Sequence, residues 1–202
     1  PKNFINDLKK FLSTFNDYVD EYEALLINNV IFIARTKNIG ILQKDIAISY
    51  GMSGPTLRGS NIAIDLRKTS PYSIYEKFNF KVCTGKNGDT WDRCKVRMDE
   101  MRESAEILKQ AIENIPDGEI MAKVPKIIKP APGEVYERVE GPRGEVGVYI
   151  VSDGTEKPYR IKFRSPSFSN LSGLREVCIG YKIADLVAIM GSFDLVIPEI
   201  DR

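Results

Sequence analysis

The sequence predicts an α+β fold, mainly α: an antiparallel helical bundle with a small antiparallel β-sheet appended. Three observations carry this. Two long segments space their apolar residues at three- and four-residue steps, the stripe of helices packed on one side. A later segment alternates with period two, as half-buried strands do. Between them "VPKIIKPAPG" (124–133), rich in proline and lysine, reads as an extended linker. The chain therefore divides into a helical part over 1–123 with a central loop region, the linker 124–133, and a unit over 134–202 holding the sheet, a final helix and a C-terminal tail.

In chain order, the first helix runs from Pro1 to about Ile27. Phe4, Leu8, Phe11, Leu12, Phe15, Val19, Tyr22, Leu25 and Leu26 form its stripe, and Asn28–Asn29 end it. Residues 35–80 are rich in Gly, Pro, Ser and Asn and hold only short helical or extended pieces. Within them "SGPTLRGSN" (53–61) is a loop by composition, because Gly54 and Gly59 permit positive φ and Pro55 fixes its own. The second long helix spans about Thr90 to Ile115. Cys94, Met98, Met101, Ala105, Leu108, Ile112 and Ile115 make a heptad-like seam, and Asp89 is spaced to pair with Arg93. Pro116, Asp117 and Gly118 stop this helix. Val135, Val146, Val148 and Ile150 mark strands within 134–164, with Asp153–Gly154 as a hairpin turn. "SPSFSNLSGL" (165–174) reads as another loop and Arg175 to Met190 as the last helix, ended by Gly191. "GSFDLVIPEIDR" closes the chain.

Composition excludes several chemistries. Lys and Arg total 29 against 28 Asp and Glu, so no global field attracts nucleic acid or an anionic membrane. No apolar run approaches the roughly 20 residues of a membrane-spanning helix. The cysteines, Cys83, Cys94 and Cys178, are odd in number and lack C-x-x-C spacing, which fits buried thiols in a reducing compartment. The chain has no histidine, which removes Ser-His-Asp and Cys-His triads and the H-E-x-x-H zinc site. It starts at Pro1 and enters an amphipathic pattern at once, so a fragment lacking its natural N-terminal part is expected.

Few residues stand out as site candidates. Arg58, among the backbone N–H groups of a glycine-containing loop, suits an anion; a packed turn whose arginine braces a neighbour is the more economical reading. "GDTWDRCKVRMDEMRES" (88–104) is dense in charge, as a solvated helix face is. Yet Asp92 and Arg93 follow Trp91, a ring seldom left in water, so buried ion pairs at a helix or subunit contact are a second reading. Lys157, Arg160, Lys162 and Arg164 lie near Tyr159 and Phe163, an interleaving that also binds RNA. In a neutral chain it reads first as one exposed strand face, and no nucleic acid partner is expected.

Five stretches then occur in a specific order: "DEYEALLINNVIFIARTKNIGIL", "SGPTLRGSNIAIDLRKTSPYSIYEKFNF", "GDTWDRCKVRMDEMRES", "GEVYERVEGPRGEVGVYIVSDGTEKPYRIKFRSPSF" and "IADLVAIMGSFDLVIPEIDR". With them the chain resembles the C-terminal half of the D-type large subunit of respiratory complex I, NADH–quinone oxidoreductase, whose fold is that of nickel–iron hydrogenase large subunits. The resemblance implies a peripheral subunit on the cytoplasmic side of the membrane that binds no metal itself. It implies as partners the B-type iron–sulfur small subunit, which carries a 4Fe–4S cluster, the C-type subunit and the membrane-arm subunits. Quinone is the implied substrate, NAD is handled on other subunits, and electron transfer is coupled to proton translocation.

In the hydrogenases a cysteine pair near each end of the chain holds nickel and iron, because soft thiolates suit those metals. "LVIPEIDR" has no cysteine, which argues against a hydrogenase-like large subunit. The quinone-headgroup donors of the family lie outside this sequence, so the resemblance implies no catalytic residue here and an inactive isolated fragment. Asp194 and Val196 match tail positions beside the quinone pocket; a tail strand docked on the bundle accounts for them equally well. Arg202 either pairs with a neighbour or terminates the chain. Asn61 stands where many relatives have glycine, and the linker is shorter than in many. Compact archaeal relatives accept electrons from a reduced deazaflavin or ferredoxin, which leaves the donor open; a scaffold or RNA-binding domain is the remaining alternative.

Overall fold

The computed structural model describes residues 3–201. Helix α1 (Phe4–Tyr22) continues through one π-type turn (Glu23–Ile27), and α6 (Thr90–Glu113) is the second long helix. They pack antiparallel: Lys9, Leu12 and Ser13 lie against Lys109 and Ile112, Asp20 and Glu23 reach Arg102, and the Trp91 indole donates to Ile27 O. Leu12, Ala105 and Ile112 form the core between them. The seam on α6 is only half used. Met98, Ala105 and Ile112 are buried, whereas Met101, Leu108 and Ile115 are exposed.

Asn28 ends the π-type turn, as expected, but Asn29 starts a new element. Its side chain accepts from the Ile31 and Phe32 amides and caps α2 (Val30–Thr36). Short helices α3 (Lys44–Ser49), α4 (Gly54–Gly59) and α5 (Leu66–Thr69) follow, then a single 3₁₀ turn (Tyr75–Lys77). Thus "SGPTLRGSN" is not a loop. Pro55 sits in the first turn, where a missing N–H costs nothing, and every residue of α4 is buried. The glycines serve close approach as well as dihedral freedom. Gly54 has φ +67°, and a Cβ there would stand 2.4 Å from Arg143 O; a Cβ on Gly59 would stand 2.7 Å from Arg93 Cγ. Asn61 adopts φ 59°, a left-handed conformation that glycine or asparagine accepts.

Residues 114–132 are extended, bent or turned and exposed. Three antiparallel strands follow, β1 (Gly133–Gly141), β2 (Gly144–Ser152) and β3 (Arg160–Arg164), in the order β1-β2-β3. Gly141 pairs with Gly144, so Pro142 and Arg143 form a two-residue hairpin turn that points into the helical part. The second connection, with Gly154 at φ 90°, is the longer one.

The C-terminal part differs from expectation in four ways. "SPSFSNLSGL" is largely helical (α7, Pro166–Ser172), with Pro166 in its first turn. The expected single helix from Arg175 to Met190 is two: α8 (Leu174–Cys178) and α9 (Ile183–Ser192). Gly180 at φ 88° breaks it between them. Gly191 lies inside α9, which ends instead at Ser192 with Phe193 as its C-cap. The tail is neither strand nor coil: Asp194 turns at φ 53° into one turn of helix, α10 (Ile197–Ile200). The main core unites the central segment with these last helices through Leu42, Ala47, Met52, Leu57, Val177, Ile189 and Phe193.

Candidate functional site

The charge-dense start of α6 turns inward. Asp89 does not pair with Arg93. It caps α6 by accepting from the Asp92 amide (2.8 Å) and also accepts from the Asn38 amide (2.9 Å). The Asp92 carboxylate accepts three backbone amides, from Lys86, Asn87 and Gly88, which fixes the loop ahead of the helix. Trp91 is half-buried under the Lys37 ammonium, 4.5 Å from the ring centroid. Arg93 is fully buried and forms no ion pair among the described residues. Its guanidinium donates to Gly88 O (2.7 Å), Gly40 O (2.9 Å), Thr90 Oγ1 (3.2 Å) and Ser192 Oγ (2.8 Å), and lies over the Phe193 ring. Burial lowers its pKa to about 10, still far above neutrality. Arg93 therefore ties α6, the segment around Gly40 and the end of α9 together.

Arg58 is likewise buried, and it braces rather than binds an anion. It donates to Glu100 Oε1 (2.6 Å), Glu140 Oε1 (2.7 Å) and Ile64 O (2.9 Å), joining α4, α6 and β1. The other Glu140 oxygen accepts from the Leu66 amide, and Asp65 forms a bidentate pair with Arg67. Burial pushes the Glu100 carboxyl up despite Arg58. Burial also acts upward on Asp65, but the Arg67 contacts outweigh it and hold that carboxyl low.

The tail candidates occupy a constructed turn. The Asp194 carboxylate meets the Arg143 guanidinium at 3.4 Å, and Arg143 Nε also donates to Asp194 O at 3.0 Å. Arg143 extends to Glu199 (3.6 Å), which accepts from Ser167 Oγ. Val196 follows, half-buried, with its amide 3.5 Å from Ser167 Oγ. Thus hairpin tip, α7 and tail converge around Asp194 and Val196, whereas Arg58 and Trp91 lie in separate clusters. Arg202 lies outside the described residues. Sequence reasoning missed Arg143 and Arg97, the latter 4.0 Å from Asp194 through Nε. The signal for Arg143 was present: "GPRG" between two alternating strands puts the arginine at a hairpin tip.

Beside this turn, α1, α6, Pro55 and Pro142 enclose a cleft of about 370 Å³ with mainly apolar walls and Arg97 and Glu100 among them. Among the described residues no group of three or more His, Cys, Asp or Glu is arranged to hold a metal ion, and no helix is long and apolar enough to cross a membrane.

Comparison with known proteins addresses the family. The family model described as "Respiratory-chain NADH dehydrogenase, 49 Kd subunit" matches residues 1–132 and 127–202. The chain is 51% identical over 202 residues to the D-type subunit of NADH-quinone oxidoreductase from Dehalococcoides mccartyi, covering all of this chain and 55% of that protein. It is 52% identical over 203 residues to D-type subunit 2 of the same enzyme from Herpetosiphon aurantiacus, covering 98% of this chain and 55% of that one. Against the D-type subunit from Clostridium beijerinckii the identity is 48% over 202 residues, covering 100% and 55%. The chain spans about half the length of the curated relatives it matches. With the family model covering the whole chain and relatives near half identity along it, the chain belongs to the family of the 49 Kd subunit of the respiratory-chain NADH dehydrogenase.

Proposed function

We propose that this chain is the C-terminal half of the subunit that helps form the quinone-reduction site of a membrane-associated NADH–quinone oxidoreductase. On this reading a partner small subunit carries the terminal 4Fe–4S cluster, NADH is oxidised on other subunits, and electron transfer is coupled to proton translocation. The subunit itself lies peripherally, on the cytoplasmic side of the membrane. The observation that carries the reading, beyond family membership, is the turn at Asp194. A left-handed backbone costs about 1 kcal/mol or more for a residue other than glycine and persists only where its surroundings hold it. Here one arginine holds both the carboxylate and the carbonyl of Asp194. This fixes a carboxylate beside the half-buried Val196, an arrangement that packs an apolar ring and sets the polarity at its edge.

The test uses the assembled complex. Asp194→Asn and Val196→Phe are expected to raise the KM for a short-chain quinone about tenfold, near 1.4 kcal/mol of binding. NADH oxidation by ferricyanide, which bypasses quinone, stays at the parental rate. Unchanged quinone kinetics in both assembled variants would remove this turn from the site.

A further inference from the structure

The buried charges around Arg58 do not balance. Two arginines, Arg58 and Arg67, face three carboxylates, Asp65, Glu100 and Glu140, which leaves one negative charge in excess. Asp65 accepts from Arg67 through both oxygens, at 3.0 and 2.7 Å. Glu140 accepts from Arg58 through one oxygen and from the Leu66 amide through the other. Glu100 is held less completely. Its Oε1 accepts from Arg58 Nε at 2.6 Å, and its Oε2 accepts no hydrogen bond from the described residues. A proton on Oε2 therefore neutralises the cluster and breaks none of these bonds, because Oε1 still accepts from Arg58.

The surroundings favour that proton. The charged groups facing Glu100 are Arg58 from α4, Asp65 and Arg67 from α5, Glu140 from β1, and Arg97 one turn earlier on α6. Burial raises the Glu100 carboxyl against the pull of these arginines. Cys83, ahead of α6, is pushed up to about 11 by burial and by Asp99, Glu100 and Glu103, so it stays a neutral thiol. Helix α1 presents Phe11, Leu12 and Phe15 to this side of α6.

Glu100 also stands between two spaces. On one side is a polar cavity of about 240 Å³ with Arg58, Arg67 and Glu140 in its walls, which holds several waters at about 30 Å³ each. On the other is the apolar cleft beside the Asp194 turn, where Arg97 comes within 4.0 Å of the Asp194 carboxylate. Glu100, Ser104 and Pro142 border both spaces.

We propose that Glu100 relays protons from the polar cavity to the quinone held at the Asp194 turn. The inference rests on the quinone reading above and adds a proton route to it. Reduction of quinone to quinol takes up two electrons and two protons. On that reading the electrons arrive from the partner small subunit's cluster, so the protons enter from water. In each transfer the Glu100 O–H bond breaks and its proton passes through water to a reduced quinone oxygen. The carboxylate left behind is stabilised by Arg58 until it regains a proton from the cavity. In a chain without histidine, a buried carboxyl is suited to hold that proton near neutrality.

The experiment compares Glu100→Gln with Glu100→Asp in the assembled complex. Gln keeps the length and the acceptor for Arg58 but cannot carry the proton, whereas Asp keeps a carboxyl on a shorter stem. Quinone reduction is expected to fall at least about tenfold in the Gln variant and by less in the Asp variant. NADH oxidation by ferricyanide stays at the parental rate in both. The parental quinone rate is expected to fall as pH rises through the folded pKa of Glu100, a limb the Gln variant lacks. A purely structural role predicts the reverse order, Gln above Asp; that order, or parental rates in both, overturns the proposal. As a second arm, infrared spectra of the parental complex with carbon-13 in its glutamate carboxyls are expected to show a labelled C=O band of a protonated acid. This band bleaches as pH rises from about 5 to about 8 and is missing from both variants. The same band in parent and Asp variant overturns the proposal, even if the Gln variant does not assemble. Azido-quinone labelling separates the two readings: a labelled tail with parental rates in both variants sinks only the relay. An unlabelled tail in an active parent sinks the quinone reading, and the relay to that turn with it.

Discussion

Arg93→Met is expected to lower the stability of the fold by about 3–5 kcal/mol, read as a fall in the urea midpoint at unchanged slope. The substitution keeps much of the apolar stem but removes every donor. Gly40 O then lies buried without this donor, at roughly 1–3 kcal/mol, whereas Gly88 O loses a charged donor but keeps the Leu42 amide at 2.9 Å. Ser192 Oγ suffers less, because it also donates to Ile189 O. Relief from burying a cation offsets part of the loss, and the lowered pKa of Arg93 is the sign that this cost exists. The lost charge-assisted bonds decide the balance, because they join three segments and the Gly40 carbonyl is buried away from water. Arg93→Lys should recover only a minor part, since an ammonium cannot span carbonyls on opposite sides. A change under about 1 kcal/mol in the methionine variant would show that the three segments hold together without this residue.

Arg58→Met is expected to have an effect of similar size, about 3–5 kcal/mol, but with a different pH dependence. It leaves Glu100, Glu140 and Asp65 around Arg67 as the remaining cation of the cluster. In the parent, Asp65 titrates below its unfolded value of 3.8, so its stabilisation is present above that pH and is lost as pH falls through the lower folded value. Glu100, raised above 4.5, has the opposite sign: acidification through its folded pKa favours the native state. Without Arg58 the carboxylates repel, and protonation relieves them. The gap between parent and variant should therefore be largest near pH 7 and shrink toward pH 4. A gap independent of pH would assign the loss to packing and not to charge.

The long-range plan was legible because helix and strand periodicities are local. α1, α6 and the three strands fall near the expected ranges. What failed was composition as a guide to loops. "SGPTLRGSN" and "SPSFSNLSGL" carry the residues of turns, yet each is mostly helical, because tertiary burial overrides propensity in such short segments. Their glycine and serine serve contact instead: Gly54 admits the hairpin tip, and Ser53 Oγ accepts from the Glu145 amide. Arg58 and Arg93 could be noted in the sequence but not sorted. Whether an arginine faces solvent, an ion pair or backbone carbonyls depends on segments far away in the chain, such as Gly40 and Glu140. The tail's role was inferred from family likeness, and the clamp on it from Arg143 appeared only in the fold.

The most direct test of the quinone reading is photolabelling of the assembled complex with an azido-quinone, followed by peptide mapping. Label within residues 191–200, competed away by excess quinone, is the expected result. Competable label confined to other subunits, with residues 191–200 unmodified, would contradict the assignment of this turn to the quinone site.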